Sequence, residues 1–284
     1  MNIMFPENLY LKSTFKFMRV KKSLGQHFLK SERALSSIVE TGEISKGDTV
    51  LEIGPGTGSL TEKLLDTGAK VMAVEKDDDL YELLKDKFQK EISSGQLNLV
   101  HDDILEFDLS KLRAESYKLI ANIPYNITGA ILKKFLGADH QPERMVLLVQ
   151  KEVAERIVGK PHYTKATRGK KESILSISVK AYGEPKYIET VKAGSFAPMP
   201  SVDSAIIAIE NISKNFFKNF PEKEFFQLLH AGFKSKRKKL SSNLSVISEK
   251  GTVLKVFKDL NLDENLRAEN VGAETWRKIT SLLL

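Results

Sequence analysis

The chain has no cysteine in 284 residues. Disulfides and thiolate-held metals are thereby excluded, a composition that suits a reducing cytoplasm, where the protein is expected to work. Histidine is scarce, at five, and no two lie at ligand spacing, so no metal centre is expected. No apolar run approaches the ~20 residues needed to span a bilayer, and no membrane partner is expected. The opening segment Met1–Val20 is basic, with Glu7 its one acid, and lacks the continuous apolar stretch and small-residue cleavage site of a secretory signal. It reads as a dispensable flexible extension, with Met18 an alternative start.

Hydrophobic residues make up 41% and charged residues 29%, ordinary chemistry for a chain long enough to bury a core, of about two domains by length. The formal net charge is +7, and the excess is clustered. Lys160–Lys171 carries five Lys/Arg and no acid, and reads as poorly ordered. Lys234–Lys239 carries five in six residues: Lys234, Lys236, Arg237, Lys238 and Lys239. Clusters of this kind are the footprint of a polyanion such as a nucleic acid, or else a merely solvated face, and these five are the candidate contacts.

From Thr49 to about Asn211, short apolar runs alternate with helical patterns. Strands are expected at Thr49–Ile53, Lys70–Glu75, Leu97–His101, Tyr117–Ala121, Met145–Val149, Ile174–Tyr182 and Ser204–Ile209. Amphipathic stretches between the early ones predict an α/β fold, a doubly wound, mostly parallel, seven-stranded Rossmann-like sheet. The connection between the last two strands is too short for a crossover, which predicts an antiparallel hairpin. Beyond Pro221 the period is helical: Phe226, Leu229 and Phe233; Leu240, Leu244 and Ile247; Trp276, Ile279 and Leu283. The expected division is an extension over 1–20, an α/β domain over 21–213 and a small all-α domain over 214–284.

The run Val50–Leu64 follows the first strand of this sheet and opens a helix, where open α/β sheets bind ligands. Gly54, Gly56 and Gly58 permit a tight turn and let a ligand approach bare backbone. Ser59 stands where a dinucleotide fold wants a third glycine, which disfavours a diphosphate cofactor. Glu75 ends the second strand, 21 positions after Gly54, where an acid can accept from both ribose hydroxyls. Asp102 or Asp103, after the third strand, can accept from an adenine amino group. A nucleoside without phosphates fits these strand ends. The fourth strand breaks into Asn122-Ile123-Pro124-Tyr125, because Pro124 lacks an N–H and biases Ile123 away from helix.

That tetrapeptide resembles the [DN]-P-P-[YF] motif of amino-methyltransferases acting on adenine. There the Asn122 side-chain oxygen and the main-chain oxygen of Ile123 or Pro124 can accept both hydrogens of an exocyclic amine, with Tyr125 a stacking face for a flipped base. More broadly, the chain from about Lys21 to its end resembles the KsgA-type small-subunit ribosomal RNA adenine dimethyltransferases. The resemblance is carried by Lys21–Leu29, Glu52–Gly58, Asn122–Ile127, Val149–Ile157, Ser195–Ile206 and Arg267–Gly272. It implies that Gln26, His27 and Leu29 line an S-adenosylmethionine site continued by Gly54, Gly56, Glu75 and Asp103, with Asn122 shared between cofactor and catalysis. It further implies catalytic roles for Asn122, Pro124 and Tyr125, with Phe196 the opposite face of a sandwich around the target base. From the residues alone His27 reads as an ordinary histidine and Phe196 as a core aromatic, and the resemblance reverses both. The product implied is dimethyladenosine, on two adjacent adenines of a small-subunit rRNA hairpin loop within an assembling subunit, made by a monomer. The chain departs from the family at Glu172-Ser173, where many members have Tyr-Gly, which leaves the RNA contacts there open.

Three other readings share parts of this pattern. An Erm-type large-subunit methylase has the same catalytic motifs, but His230–Leu244 and Arg267–Gly272 favour the small-subunit type. An assembly or transcription factor would keep the fold as a binding module, against which the intact Asn122–Tyr125 motif argues. A nicotinamide dehydrogenase is disfavoured by Ser59 and by the lack of a hydride-relay histidine.

Overall fold

In the computed structural model of the chain, residues 26–159 and 171–284 are described. The extension expected over 1–20 and all but the last residue of the basic stretch 160–171 lie outside them. The N-terminal half comprises β1 (Phe28–Leu29), α1 (Glu32–Thr41), β2 (Thr49–Ile53), α2 (Ser59–Asp66), β3 (Lys70–Glu75), α3 (Asp78–Lys87), α4 (Gln89–Ser93), β4 (Leu97–His101) and β5 (Lys118–Asn122). There follow α5 (Thr128–Leu136), β6 (Arg144–Gln150), α6 (Lys151–Val158), α7 (Ile174–Lys180), β7 (Glu184–Val191), β8 (Phe196–Ala197) and β9 (Ser204–Glu210). The chain then continues as α8 (Glu222–Phe233), α9 (Leu240–Leu244), α10 (Lys250–Asp259) and α11 (Ala273–Leu283).

Seven strands form one sheet in the order β4-β3-β2-β5-β6-β9-β7. Strand β2 runs parallel to β3 and β5, β3 to β4, and β5 to β6, whereas β9 is antiparallel to both β6 and β7. The chain winds outward from β2 through β3 to β4, then returns on the other side of β2 as β5. This reversal opens a crevice at the carboxyl ends of β2 and β5, the place where such sheets bind ligands.

Both faces of the sheet's inner strands are buried, which is why those strands read as largely apolar runs. Leu51, Ile53, Val74, Leu119 and Leu147 belong to a cluster that continues into the C-terminal helices through Phe225, Leu229 and Trp276. Val50, Val71, Ile120 and Val146 pack on the other face against Leu35 and Ile38 of α1 and Leu60 and Leu64 of α2.

One expected strand is a helix. Leu175-Ser176-Ile177-Ser178-Val179 alternates with period two, but Ser173 and Ser176 form a reciprocal capping box. The Ser173 hydroxyl accepts from the Ser176 N–H at 3.1 Å and the Ser176 hydroxyl from the Ser173 N–H at 2.7 Å. Two satisfied donors start α7 over Ile174–Lys180 and outweigh the strand pattern. The antiparallel partner of β9 is instead β7, whose exposed Glu184 and Lys186 mask a strand and whose Pro185 is tolerated because β7 is an edge. Between β7 and β9, residues 192–203 form a long excursion carrying β8 rather than a tight hairpin turn.

In the helical segment, Leu229, Trp276 and Ile279 are buried as the period predicts, but α9 stops at Leu244 and leaves Ile247 51% exposed. Gly232 lets α8 approach α11: a Cβ there would stand 2.3 Å from the Trp276 ring. Asn243 fastens the turn after α8 by donating to the carbonyls of Gly232 at 2.6 Å and Ser235 at 3.1 Å. Gly232→Ala should therefore lower stability by ~1–3 kcal/mol through overpacking, read as a lower urea midpoint. An unchanged midpoint would mean that the indole has room to move.

Candidate active site

The crevice is a cavity of about 310 Å³. Its wall includes Gln26, His27, Leu29, Gly54, Gly56, Glu75, Asp103, Asn122, Pro124, Tyr125 and Phe196. The sheet thus brings every candidate catalytic and cofactor residue to one place. The five basic residues of Lys234–Lys239 lie elsewhere.

The floor is built at the ends of β2 and β3. Gly54, at φ 63°, turns the chain out of β2 in a conformation that side chains disfavour. The Glu75 carboxylate, 6% exposed, gathers the turn: its Oε2 accepts from the Gly56 N–H at 3.1 Å, and its Oε1 from the N–H groups of Lys76 and Asp77, both at 2.9 Å. Burial pushes this carboxyl above its ordinary value, and the three N–H groups oppose that shift. A carboxylate has about four acceptor positions, so one, on Oε2, stays open to a further donor. Asp77 caps α3 through the N–H groups of Asp79 and Leu80 and accepts from Gln26 Nε2 at 2.9 Å. Asp103 accepts from Lys76 Nζ at 2.7 Å and from the Leu105 N–H at 2.9 Å. The lysine is the main reason its carboxyl lies below the usual range.

The opposite wall begins at Asn122, the last residue of β5. Its Nδ2 donates to the His27 carbonyl at 3.3 Å, which leaves Oδ1 as the acceptor. The Pro124 carbonyl accepts from the Ile127 N–H at 3.1 Å and closes a short turn. Within that turn the Tyr125 hydroxyl meets the Ser204 hydroxyl at 2.7 Å, and burial raises the phenol, keeping it neutral. The ring stacked on Tyr125 is that of His27, at 6.0 Å between centroids and 25° between planes. His27 Nδ1 donates to the Pro198 carbonyl at 2.8 Å. Phe196, 5% exposed, contributes to the wall from β8, which pairs with Leu29 of β1.

Glu52 also belongs to this cavity; it opens the Glu52–Gly58 motif, yet the sequence alone assigns it no role. It is 1% exposed, lines the cavity, and neither carboxyl oxygen has a hydrogen-bond partner. The Thr61 hydroxyl is its polar neighbour, yet it too closes no hydrogen bond of normal geometry. Burial, reinforced by the like charge of Glu75, pushes the Glu52 carboxyl up to about 8 against the pull of Thr61 and Lys87. A charged residue breaking an apolar strand was the available signal, since Val50-Leu51-Glu52-Ile53 is buried at every position.

The basic cluster occupies the turn between α8 and α9. All five side chains are exposed, and none closes an ion pair among the described residues. Lys236 also lines a second cavity, of about 1260 Å³, together with Lys133, Lys134 and Arg156.

Comparison with known proteins bears on the chain as a whole. The profile of the family described as ribosomal RNA adenine dimethylase matches residues 17–283. A protein of Dehalococcoides mccartyi strain CBDB1, ribosomal RNA small subunit methyltransferase A, is 38% identical over 266 residues, covering 92% of this chain and 88% of its own. The crystal structure of a dimethyladenosine transferase from Plasmodium falciparum superposes with a TM-score of 0.73 at 28% identity, over 89% of this chain and 96% of that one. The 23S rRNA methyltransferase ErmE superposes with a TM-score of 0.70 at 24% identity, over 90% of this chain and 99% of that one, a likeness of fold.

Glu52 generates a prediction about stability. Its folded-state value is raised, so folding is favoured while the group stays protonated and loses that advantage as pH rises from its ordinary 4.5 through about 8. Wild type should therefore lose stability relative to Glu52→Gln across that window, by on the order of 3 kcal/mol. Parallel denaturant curves from pH 5 to pH 9 would test it, and two lines of equal slope would be the contrary result.

Proposed function

The chain belongs to the ribosomal RNA adenine dimethylase family, and on that premise we propose that it transfers methyl groups from S-adenosylmethionine to adenine in small-subunit ribosomal RNA. The targets are the exocyclic amines of two adjacent adenines in a hairpin loop, and the product is dimethyladenosine. The enzyme acts as a monomer in the cytoplasm, on the small subunit during its assembly. The observation that carries this reading is the convergence of Asn122–Tyr125 and Glu75 on one cavity.

The residues fit such a cofactor. The open acceptor position on Glu75 suits a ribose hydroxyl, Asp103 an adenine amino group, and the turn at Gly54 presents bare backbone. When bound, S-adenosylmethionine supplies an electrophilic methyl carried on a sulfonium. Asn122 Oδ1 takes one hydrogen of the target amine. The Ile123 carbonyl is the better second acceptor, because that of Pro124 already serves Ile127. Held this way, the nitrogen lone pair is turned out of conjugation with the ring. Catalysis then rests on orientation, with the proton finally leaving to water or a carbonyl.

Tyr125 offers the stacking face, on the side where His27 lies in this structure, and Phe196, which also lines the cavity, is its counterpart in the sandwich. Flat walls let a monomethylated amine rotate and react again. Hairpin loops supply adenines that are already unpaired and cheap to extrude. The segment 214–284 is the RNA-contacting unit, with Lys234, Lys236, Arg237, Lys238 and Lys239 meeting phosphates.

Two outcomes are expected. Asn122→Ala should still bind cofactor but lose roughly 100-fold or more in kcat, since its contacts to the amine strengthen mainly in the transition state. The assay uses small subunits and large-subunit RNA from a strain lacking the protein, with tritiated methyl donor and nucleoside analysis. Label confined to large-subunit RNA would overturn the substrate assignment. Neutralising Lys236, Arg237, Lys238 and Lys239 should flatten the salt dependence of RNA binding, by ~0.7–0.9 in slope for each phosphate no longer neutralised, and leave cofactor affinity alone. A slope equal to that of wild type would remove the cluster from the RNA interface.

A further inference from the structure

Three buried carboxylates stand at the strand ends, and two of them are satisfied. Glu75 holds three backbone N–H groups, and Asp77 caps α3. Glu52 holds none, although it is the most deeply buried of the three. Side chains alternate along a strand, so Glu52 shares its face with Val50, among Leu60, Leu64 and Ile120. An ionised carboxylate with no partner is among the costliest groups to keep in such surroundings, whereas the protonated acid is far cheaper.

The position of Glu52 says what could offset that cost. It lies opposite Ala73 of β3 and Ile120 of β5, between the strand that ends in Glu75 and the strand that ends in Asn122. A methyl donor with its ribose at Glu75 and its methyl at Asn122 has to pass its charged part across the end of β2. S-adenosylmethionine carries two cations there, the sulfonium and the ammonium. Among the described residues, nothing else near Glu52 supplies an uncommitted positive charge. Glu75 on β3 is a like charge, Leu35 on α1 and Phe28 on β1 are apolar, and Lys87 on α3 is paired with Glu62 at 3.0 Å.

We propose that Glu52 is a proton-coupled counter-ion, neutral in the free protein and ionised against the cationic part of the methyl donor, so that donor binding releases a proton. The inference rests on the S-adenosylmethionine reading of the cavity. It adds that affinity depends on pH through a residue on the central strand, apart from the ribose and amine contacts.

Calorimetric titration of the full chain at pH 7 tests it, with S-adenosylhomocysteine and with S-adenosylmethionine, in phosphate and in Tris. The two buffers differ in ionisation heat, so the difference in apparent binding heat counts protons. Wild type should release close to one proton per site, and Glu52→Gln, which imitates the neutral acid, close to none. Release with both ligands assigns the counter-charge to the ammonium, and release with S-adenosylmethionine alone assigns it to the sulfonium. Wild type alone supplies a second measurement, since release should fade as pH rises above about 8, where Glu52 has already ionised. Binding with equal heats in the two buffers for both ligands overturns the inference and leaves the cofactor reading standing, as does undiminished release by Glu52→Gln. Absence of binding by wild type overturns the cofactor reading itself.

Discussion

Three backbone N–H groups converge on the carboxylate of Glu75, and the cavity floor depends on that convergence. The acceptor fixes where the turn after β2 lies relative to the end of β3, two strands whose parallel pairing alone would leave their loops unrelated. The Gly56 N–H reaches Glu75 only because Gly54 and Gly56 both take positive φ, and the turn so placed starts α2 at Gly58. A Cβ at Gly58 would meet the Phe88 ring at 2.6 Å, so the same turn also sets how closely α3 approaches. One buried carboxylate thus positions two strand ends and two helix starts.

The roof is assembled differently, by contacts between segments distant in the chain. Phe28–Leu29 pairs with Phe196–Ala197, His27 reaches Pro198, Asn122 reaches the His27 carbonyl, and Tyr125 reaches Ser204. Each of these fastens a ring or an amide that the proposed chemistry uses. On the proposed function, floor and roof divide the work, one receiving a nucleoside and the other holding a flat base and its amine.

Much of this was legible in the sequence. Strands β2, β3, β5, β6 and β9 announce themselves because burial on both faces forces largely apolar runs, and the strand ends then put Gly54, Glu75, Asp103 and Asn122 together by topology alone. The failures have physical causes. The period of two in Ile174–Lys180 reads as a strand until the Ser173–Ser176 capping box is counted. Strand β7 is an edge with polar residues outward and lacks an apolar run. Glu52 stands in the sequence as a charge within an apolar run, and only the packing of α1 and α2 over its face of the sheet shows that it is buried there. The stacking of His27 on Tyr125 was invisible, because it is held by the backbone carbonyl of Pro198, 171 positions away, and carbonyls carry no sequence signal.

That separation also bears on how the protein is made. Native contacts between distant segments form late, because the entropy of closing a long loop precedes any gain from it. Synthesis runs from the N-terminus, so β2 to β5 and the nucleoside floor can assemble while the ribosome is still translating. The clasp of His27 on Pro198, by contrast, waits until residues near 204 have emerged and β9 has slotted between β6 and β7. A nascent chain therefore acquires its nucleoside floor well before the roof over its base pocket closes.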